Sequence, residues 1–304
     1  MSIILITGAS NGLGRLTAKK CINLGHTVII TGRSQTSLDD AKKIILKDAP
    51  DSKSNLYELV MDLLDLASVK KAVETLETFN LPCIDVILHN AGGNQSSYGK
   101  VNDSVEQVVF MNAVAPLYLN QLLLPFIEKS QSPKKRIIFV GSSLHDGKNK
   151  GGDNSEAARI PDSVEIKDLV GGEGATEWDM MKYYKISKLA VMWDTYCLSD
   201  KMPKDIPVIA FCPGFVPTTE LARKSSFMLK FMMKHILSRF SFAVSEDEST
   251  DDYIYYITSD EIKNGEHYQK RVATDASKDA LDQAKQDAYW EFANTNINKI
   301  ISKE

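Results

Sequence analysis

The sequence predicts an α/β fold in which a doubly wound parallel sheet is flanked by helices. First, short runs of nearly continuous apolar residues alternate with helical patterns over the first two thirds of the chain. Second, these runs are apolar on both faces, as in buried parallel strands. Third, no internal repeat and no Pro/Gly/Ser-rich linker interrupts the alternation. Because such alternation produces right-handed crossovers and a sheet covered on both faces, we expect one domain spanning residues 1–304.

The individual elements follow from the same patterns. Predicted strands cover 2–7, 27–31, 56–61, 84–89, 136–140 and 206–212, and predicted helices cover 12–24, 35–47, 65–79, 103–128 and 178–199. Further along, residues 265–268 suggest a short edge strand, and 275–297 suggest an alanine- and charge-rich surface helix. Two segments stand outside the alternation: a polar, glycine-rich insert at 144–177 and an apolar, basic segment at 218–245.

Composition excludes several classes of protein. The 304 residues carry a net charge of -4, which argues against a nucleic-acid binder. Four scattered cysteines without a C-x-x-C pair fit core positions in a reducing compartment, and no His/Cys cluster suggests a metal. No apolar run reaches the length of about 18 residues that a membrane span needs, and the N-terminal run does not resemble a signal peptide. We therefore expect a cytoplasmic protein.

Tyr184 and Lys188 are the first candidate catalytic residues. Four residues apart on the predicted helix 178–199, they lie on the same face, one turn from each other. An ammonium group beside a phenol lowers the pKa of the phenol, so Tyr184 is a candidate proton donor and acceptor near neutral pH. Alone, the spacing also fits a lysine whose stem packs beside a half-buried tyrosine.

A glycine-rich turn joins the first strand to the first helix. Its spacing, G-x-x-x-G-x-G, is a variant of the dinucleotide fingerprint, in which glycines let a pyrophosphate approach the free N–H groups of the helix. The alternative is a strand-to-helix turn without a ligand. The sequence favours a Rossmann-type dinucleotide site, and its candidate residues are Gly8, Ser10, Asn11, Gly12, Leu13 and Gly14.

The end of the second strand indicates which dinucleotide. An acid there holds the ribose 2′-OH of NAD, whereas an arginine accommodates the 2′-phosphate of NADP. This chain has Arg33, and the first acid comes only at Asp39. A guanidinium pairs with phosphate as a fork. The sequence therefore favours NADP(H), against the alternative of a solvated surface arginine.

These motifs together resemble the short-chain dehydrogenase/reductase family. The resemblance rests on T-G-x-x-x-G-x-G, on Asn90-Ala91-Gly92 and on Y-x-x-S-K, and it covers about residues 2–220. It implies an NADP(H) site with further contacts. Asp62 and Leu63 would lie near the adenine, Asn90, Ala91 and Gly92 along the adenosine side, and Pro213, Gly214, Val216 and Thr218 near the nicotinamide, beside which Tyr184 and Lys188 would also lie.

The resemblance also implies a catalytic group of Asn112, Ser142, Tyr184 and Lys188. Tyr184 would exchange a proton with the substrate oxygen, and Ser142, with Ser143 as the alternative, would stabilise the developing charge on that oxygen. Lys188 would hold the nicotinamide ribose and lower the pKa of Tyr184. Asn112, unusual inside a helix, would anchor a water that relays protons through Lys188. The implied reaction is hydride transfer between nicotinamide and a carbonyl carbon, without a metal.

The two irregular segments bear on the substrate. Tyr184 follows Ser142 by 42 positions, and this long insert resembles the retinol dehydrogenase and protochlorophyllide reductase branch, whose substrates are bulky and apolar. The insert could equally be a surface loop without a substrate role. Methionines and phenylalanines alternate with basic residues in 218–245, which suggests a helical lid over the substrate. Alternatively, this segment rests on an anionic membrane or completes the core.

The sequence thus predicts an NADP(H)-dependent oxidoreductase acting on the carbonyl or alcohol carbon of a lipophilic substrate, such as a retinoid, a steroid or a similar ketone or aldehyde. One rival is a reductase of a conjugated C=C bond. Another is a catalytically silent NADP(H)-binding regulator, which has no use for an intact Tyr184–Lys188 pair. Monomer and homodimer both remain open, because the family often pairs through its fourth and fifth helices while members with long inserts can be monomers.

Overall fold

The computed structural model describes residues 1–149, 151, 153, 155–172, 174, 176, 178–216 and 243–303. Its main sheet has eight strands in the order β10-β9-β8-β7-β4-β1-β2-β3. All neighbours in this sheet are parallel except β10, which pairs antiparallel with β9. The strands are β1 Ile3–Ile6, β2 Thr27–Gly32, β3 Leu56–Val60, β4 Val86–His89, β5 Lys100–Val101, β6 Val105–Glu106, β7 Arg136–Val140, β8 Val208–Cys212, β9 His267–Gln269 and β10 Val272–Ala273. Strands β5 and β6 form a separate hairpin.

The helices of the described residues lie on both faces of this sheet. They are α1 Gly12–Asn23, α2 Gln35–Ile45, α3 Leu66–Glu77, α4 Gln107–Glu128, α5 Met180–Lys201, α6 Glu246–Thr258, α7 Lys278–Leu281 and α8 Gln283–Ile301. Short 3-10 turns occur at Leu46–Asp48, Pro50–Asn55, Ser143–His145 and Ile166–Leu169. The doubly wound fold predicted from the sequence is confirmed; the single-domain boundary stays a prediction.

Two hydrophobic clusters cover the two faces of the sheet. Alternate residues of β1 show the division, since Leu5 belongs to one cluster and both Ile4 and Ile6 belong to the other. The first cluster packs the sheet against α3, α4, α5 and α8, and the second packs it against α1, α2 and α6. A strand with apolar side chains on both faces can be buried in this way, which explains the continuous apolar runs.

Helix α4 differs from the prediction in two ways. It begins at Gln107, because residues 100–106 form the β5–β6 hairpin, and it contains a π-helical turn at Phe110–Val114. Its length and composition would let it cross a membrane, contrary to the expectation that no segment is apolar enough. Most of this stretch is buried inside the protein, as expected for the core helix of a sheet-centred fold.

The chain after residue 243 departs most from the predictions. Helix α6 was not predicted, because its acidic start, Glu246 to Glu248, resembles a solvated loop. The predicted surface helix 275–297 is split into α7 and α8, and α8 buries Tyr289, Ala293 and Ile297 against the core. Its charged residues mask an apolar stripe at spacings of four residues.

The insert at 144–177 is more than a surface loop. Its described residues bury Ala158, Ile160, Val164 and Leu169, although the segment reads as polar overall. The Lys185 ammonium of α5 is buried beneath it and donates to the carbonyl oxygens of Asp153 and Ala158, at 2.8 and 3.0 Å. Of the predicted lid at 218–245, residues 218–242 lie outside the described residues.

Candidate active site

The turn between β1 and α1 is shaped by close packing of its backbone. Gly8 has a φ of +64°, and a Cβ there would lie 2.8 Å from the Ala91 Cα. A Cβ at Gly14 would lie 2.4 Å from the Asn90 amide nitrogen and 2.8 Å from the Gly8 carbonyl oxygen. Gly8 and Gly14 therefore allow the turn to pack directly onto the end of β4, where larger residues would not fit.

The N-terminus of α1 fits an anionic group. Within the described residues, the N-cap residue Asn11 makes no side-chain capping bond, and the first turn contains no acid. Gly12 has a φ of +52°, and a Cβ there would meet no atom within 4 Å. The start of this 12-residue helix therefore has open space at Gly12, next to Ser10 and Leu13, and its first N–H groups have no side-chain cap from Asn11, as expected where a pyrophosphate is bound.

The end of β2 places Arg33 beside this turn. A Cβ at Gly32 would lie 3.0 Å from the Ser10 Cβ and from Leu38, so a carboxylate at that position would have to displace these two side chains. Arg33 is the next residue; it is exposed, and no acid among the described residues pairs with it.

Asp62, predicted to lie near the adenine, is partly buried beyond the end of β3 and accepts a bond from the Leu64 N–H at 3.0 Å. The Leu63 side chain lies in the core, so Leu63 could contact a cofactor only through its backbone.

Asn90 ties the ends of β1 and β4 together. Its amide donates to the carbonyl oxygens of Thr7 and Gly8, at 2.9 and 3.3 Å, and the Ala91 N–H donates to the Thr7 hydroxyl at 2.9 Å. The Tyr253 hydroxyl of α6 donates to Asn90 Oδ1 at 3.1 Å. Asn90 is therefore held from both sides. Sequence reasoning missed the contribution of Tyr253.

Asn112 occupies the π-helical turn of α4 and is buried. It exchanges two hydrogen bonds with the Gly93 backbone, both 3.0 Å long, and it donates to the Ser187 hydroxyl at 2.9 Å. Ser187 in turn donates to the Tyr184 carbonyl oxygen at 2.7 Å. A π turn is a recognised place for a functional residue inside a helix, and here it joins the loop after β4 to helix α5.

Ser142, Tyr184 and Lys188 converge at the carboxyl ends of β7 and β8. Ser142 follows β7, and its hydroxyl accepts a bond from the Leu144 N–H at 3.2 Å while also hydrogen-bonding the Tyr184 hydroxyl. The Lys188 ammonium lies 5.6 Å from the centre of the Tyr184 ring and donates to the Val140 carbonyl oxygen at 2.9 Å. The predicted serine, and not its neighbour Ser143, is the one that meets Tyr184.

The electrostatics of this group differ from the prediction. Burial raises the pKa of Tyr184 to about 12, and this outweighs the hydrogen bond from Ser142, which lowers it. Burial likewise lowers the pKa of Lys188 to about 8. The net shift of the Tyr184 pKa is therefore opposite to the expected one, because desolvation disfavours both charged forms and outweighs any lowering by the Lys188 ammonium. Tyr184 carries its proton at neutral pH.

The segment after β8 completes the site. Gly214 has a φ of +80°, and a Cβ there would lie 2.6 Å from Val244. Val216 is buried, and Pro213 accepts a bond at its carbonyl oxygen from the Ser249 hydroxyl at 3.1 Å. Thr218, predicted to contact the nicotinamide, lies outside the described residues.

Sequence reasoning missed the residues that α6 brings to the site. Ser249 and Tyr253 hold Pro213 and Asn90. Two signals could have revealed the helix: Ser245 and Glu248 at capping-box spacing, and the apolar positions Tyr253, Tyr256 and Ile257 at helical spacing. The spacing predicts the helix but not its partners, because Asn90 is 163 residues away from Tyr253.

A doubly wound sheet with an open helix N-terminus and an adjoining Ser-Tyr-Lys group defines an oxidoreductase of the dinucleotide-binding class. A family model described as short chain dehydrogenase matches residues 2–153, half of the chain. The chain belongs to the short-chain dehydrogenase family.

Similar proteins span much of that family. Short-chain dehydrogenase chry4 of Gibberella zeae is 30% identical over 72% of this chain and 72% of its own. A chloroplastic protochlorophyllide reductase of Daucus carota is 28% identical over 90% of this chain and 74% of its own. Human retinol dehydrogenase 14 is 26% identical over 98% of this chain and 86% of its own. These relatives support the branch that the long insert suggests.

A solved structure has the same fold. A short chain dehydrogenase from Shigella flexneri, described as complexed with NADP, superposes with a TM-score of 0.63 over 88% of this chain and 96% of its own, at 23% identity.

Proposed function

We propose that the protein is an NADP(H)-dependent oxidoreductase that interconverts a carbonyl group and an alcohol on a lipophilic substrate. The observation that carries this proposal is the convergence of Ser142, Tyr184 and Lys188 beside an open helix N-terminus. A silent binding protein would need the helix N-terminus but not the buried hydroxyl pair.

The described residues fit the proposed cofactor. The N–H groups at the start of α1 would hold the pyrophosphate, and Arg33 would pair with the 2′-phosphate. Arg33 has no acidic partner among the described residues, and a carboxylate at Gly32 would crowd Ser10 and Leu38. Both observations favour NADP(H) over NAD(H). The NADP complex of the Shigella flexneri structure supports the same choice.

The cofactor, when bound, supplies or accepts a hydride at the substrate carbon. The residues of the protein act on the carbonyl or alcohol oxygen of the substrate. Tyr184, protonated because burial raises its pKa, donates its proton to that oxygen during reduction. Ser142 donates a hydrogen bond to the same oxygen as negative charge develops there. Asn112 and Lys188, which are both buried next to Gly92, would return a proton from solvent to Tyr184.

A lipophilic substrate is supported by exposed apolar side chains that lie close in sequence to the site residues. Met180 is one helical turn before Tyr184 and 39% exposed, and Phe215 follows Gly214 and is 40% exposed. Exposed large apolar side chains beside a reactive group favour an apolar ligand. The similarity to retinol dehydrogenase 14 points the same way. We retain the lid over residues 218–245 as part of this proposal, on its sequence alone.

Reduction of a conjugated C=C bond is the second candidate. It is favoured by the similarity to protochlorophyllide reductases of Daucus carota, Pisum sativum and Avena sativa. The same Tyr184 proton would then go to a carbon. The product separates the two reactions, because an unsaturated ketone yields an alcohol in one case and a saturated ketone in the other.

The testing experiment is a screen of NADPH oxidation with aldehydes, ketones and conjugated enones of increasing apolar size, with product analysis. We expect alcohol products and a kcat/KM that rises with apolar size. Met180→Lys should reduce kcat/KM for the large carbonyls more than for the small ones. Turnover of enones to saturated ketones would favour the second candidate, and NADPH binding without turnover of any class would contradict both.

The four free cysteines also support a reducing compartment, and we propose that the protein is located in the cytoplasm.

A further inference from the structure

His145 connects the segment of Ser142 to the C-terminal part of the chain. It lies in the 3-10 turn Ser143–His145 and is 3% exposed. Its Nδ1 lies 2.7 Å from the Ser142 carbonyl oxygen, and its Nε2 accepts a bond from the Ser277 N–H at 3.1 Å. Ser277 is 132 residues away and caps α7 through its hydroxyl, which accepts from the Ala280 N–H at 3.2 Å.

The two backbone partners determine the tautomer of the ring. A backbone N–H can only donate, so Nε2 carries no proton, and a carbonyl oxygen can only accept, so Nδ1 carries one. A doubly protonated ring would set an N–H against the Ser277 N–H. Burial lowers the pKa of His145, and the ring of the buried His267 meets it edge-on at 5.1 Å. The environment and the hydrogen bonds therefore favour the same neutral form.

Helix α7, which Ser277 caps, is also attached to α5. The Trp193 indole N–H of α5 donates to the Asp279 carbonyl oxygen at 2.8 Å. The chain of contacts therefore runs from Ser142 through His145 and Ser277 to α7, and from there to the helix that carries Tyr184. These contacts hold two segments in register at the point where the Ser142 and Tyr184 hydroxyls must meet.

We propose that His145 is a positioning residue for the reaction, and that its bonds to Ser142 and Ser277 let α7 set the place of the Ser142 hydroxyl opposite Tyr184. This inference rests on the proposed carbonyl reduction. It predicts that disturbing His145 lowers kcat and leaves NADPH binding unchanged, because no part of the chain of contacts reaches the start of α1 or Arg33. Because a misplacement of about 1 Å can lower a rate by about 100-fold, a smaller displacement of the Ser142 hydroxyl should lower kcat by about 10-fold.

The test compares four variants by kcat at saturating NADPH, by the Kd for NADPH and by thermal unfolding. His145→Leu removes both bonds, and we expect kcat to fall by about 10-fold with Kd unchanged. His145→Asn keeps a donor at the position of Nδ1 and should recover part of that loss. Ser277→Pro removes the N–H at a residue whose φ of -60° suits proline, together with the hydroxyl that caps α7, so its loss of kcat should be at least that of His145→Leu.

The matched control is His26→Leu. His26 accepts the same kind of bond, from the Ser2 N–H at 3.1 Å, but next to the amino end of the sheet and away from the site. It should leave kcat unchanged. Equal kcat in wild type and a folded His145→Leu would overturn the positioning role, as would an equal loss in His26→Leu.

Nitrogen NMR of labelled histidine provides a reading that does not depend on activity. We expect a buried neutral histidine with its proton on Nδ1 whose signals disappear in His145→Asn. If the wild type turned over no carbonyl, the proposed reaction would fail, whereas the NMR signals would still support or refute the bonds of His145. A ring protonated on Nε2 would overturn the inference even in an active enzyme.

Discussion

At the carboxyl edge of the sheet, the turn between β1 and α1 is built from backbone, whereas the group around Tyr184 is built from side chains. In the turn, Gly8 and Gly14 bring backbone against backbone, and no side chain in the described part of the chain caps the first N–H groups of α1. Around Tyr184, by contrast, Asn112 and Lys188 are already bonded to protein groups.

This difference separates binding from chemistry. A turn with free donors is prepared for a ligand that brings its own negative charge, and its geometry depends on residues that are close in sequence. A buried group with satisfied partners is held in place for a reaction, and its geometry depends on segments far apart in the chain. Variants at the two places should therefore affect different kinetic constants.

The largest effect is expected at Tyr184. Tyr184→Phe removes the proton donor and keeps the ring, so kcat for carbonyl reduction should fall by roughly 10³-fold, the scale of general acid catalysis. The Kd for NADPH, measured by its fluorescence, should stay within about 2-fold of the wild-type value, since the pyrophosphate and 2′-phosphate contacts are elsewhere. Retained turnover would show that another group supplies the proton.

A substitution of Arg33 tests the binding of the cofactor, at the other end of the site from Tyr184. Arg33→Asp replaces the proposed partner of the 2′-phosphate with a like charge, so KM for NADPH should rise by about 100-fold while kcat at saturation changes little. The ratio of kcat/KM for NADPH to that for NADH reports the change. Arg33→Lys keeps the charge without the fork and should lose less. An unchanged ratio in Arg33→Asp would mean that Arg33 does not contact the phosphate.

Gly14 and Gly12 of the turn differ in their surroundings, since Gly14 is closely packed and Gly12 borders open space. Gly14→Ala places a methyl group 2.4 Å from the Asn90 amide nitrogen and should cost about 2–3 kcal/mol of the free energy of unfolding. Gly12→Ala meets no atom within 4 Å and should cost only about 1 kcal/mol, for its positive φ. Urea denaturation measures both variants. Equal costs would contradict the packing of the turn onto β4.

The smallest effect concerns Asp194, buried on α5 against the Tyr289 hydroxyl of α8. Burial raises the pKa of Asp194 well above the ordinary value of an aspartate. Between the unfolded and folded pKa values, the unfolded chain has lost a proton that the folded chain keeps, so wild-type stability falls as pH rises. Asp194→Asn lacks this titration and should gain about 1.4 kcal/mol relative to wild type for each pH unit between the two pKa values.

Thermal unfolding across this pH range measures the difference. Asp200→Asn, at an exposed position of the same helix, is the control and should follow the wild-type curve. A constant difference between Asp194→Asn and wild type would show that Asp194 does not titrate in this way.

The local patterns predicted much of the fold. Apolar runs marked the strands that became β1, β2, β4, β7 and β8, because a strand buried on both faces leaves no polar position. The same patterns missed α6 and misjudged α8, whose charged residues hide an apolar stripe. The patterns left the insert open between a substrate role and a surface loop, since its buried Ile160 and Val164 are isolated among polar residues.

By itself, the sequence determined the glycine turn, the Arg33 position and the Tyr184–Lys188 spacing. Each of these depends on neighbours within one turn or one helix, where covalent geometry fixes distance. Only the tertiary structure decided the raised pKa of Tyr184, the bond from Tyr253 to Asn90 and the link from His145 to Ser277. Burial and long-range partners create these features. They exist only when segments more than 100 residues apart are brought together.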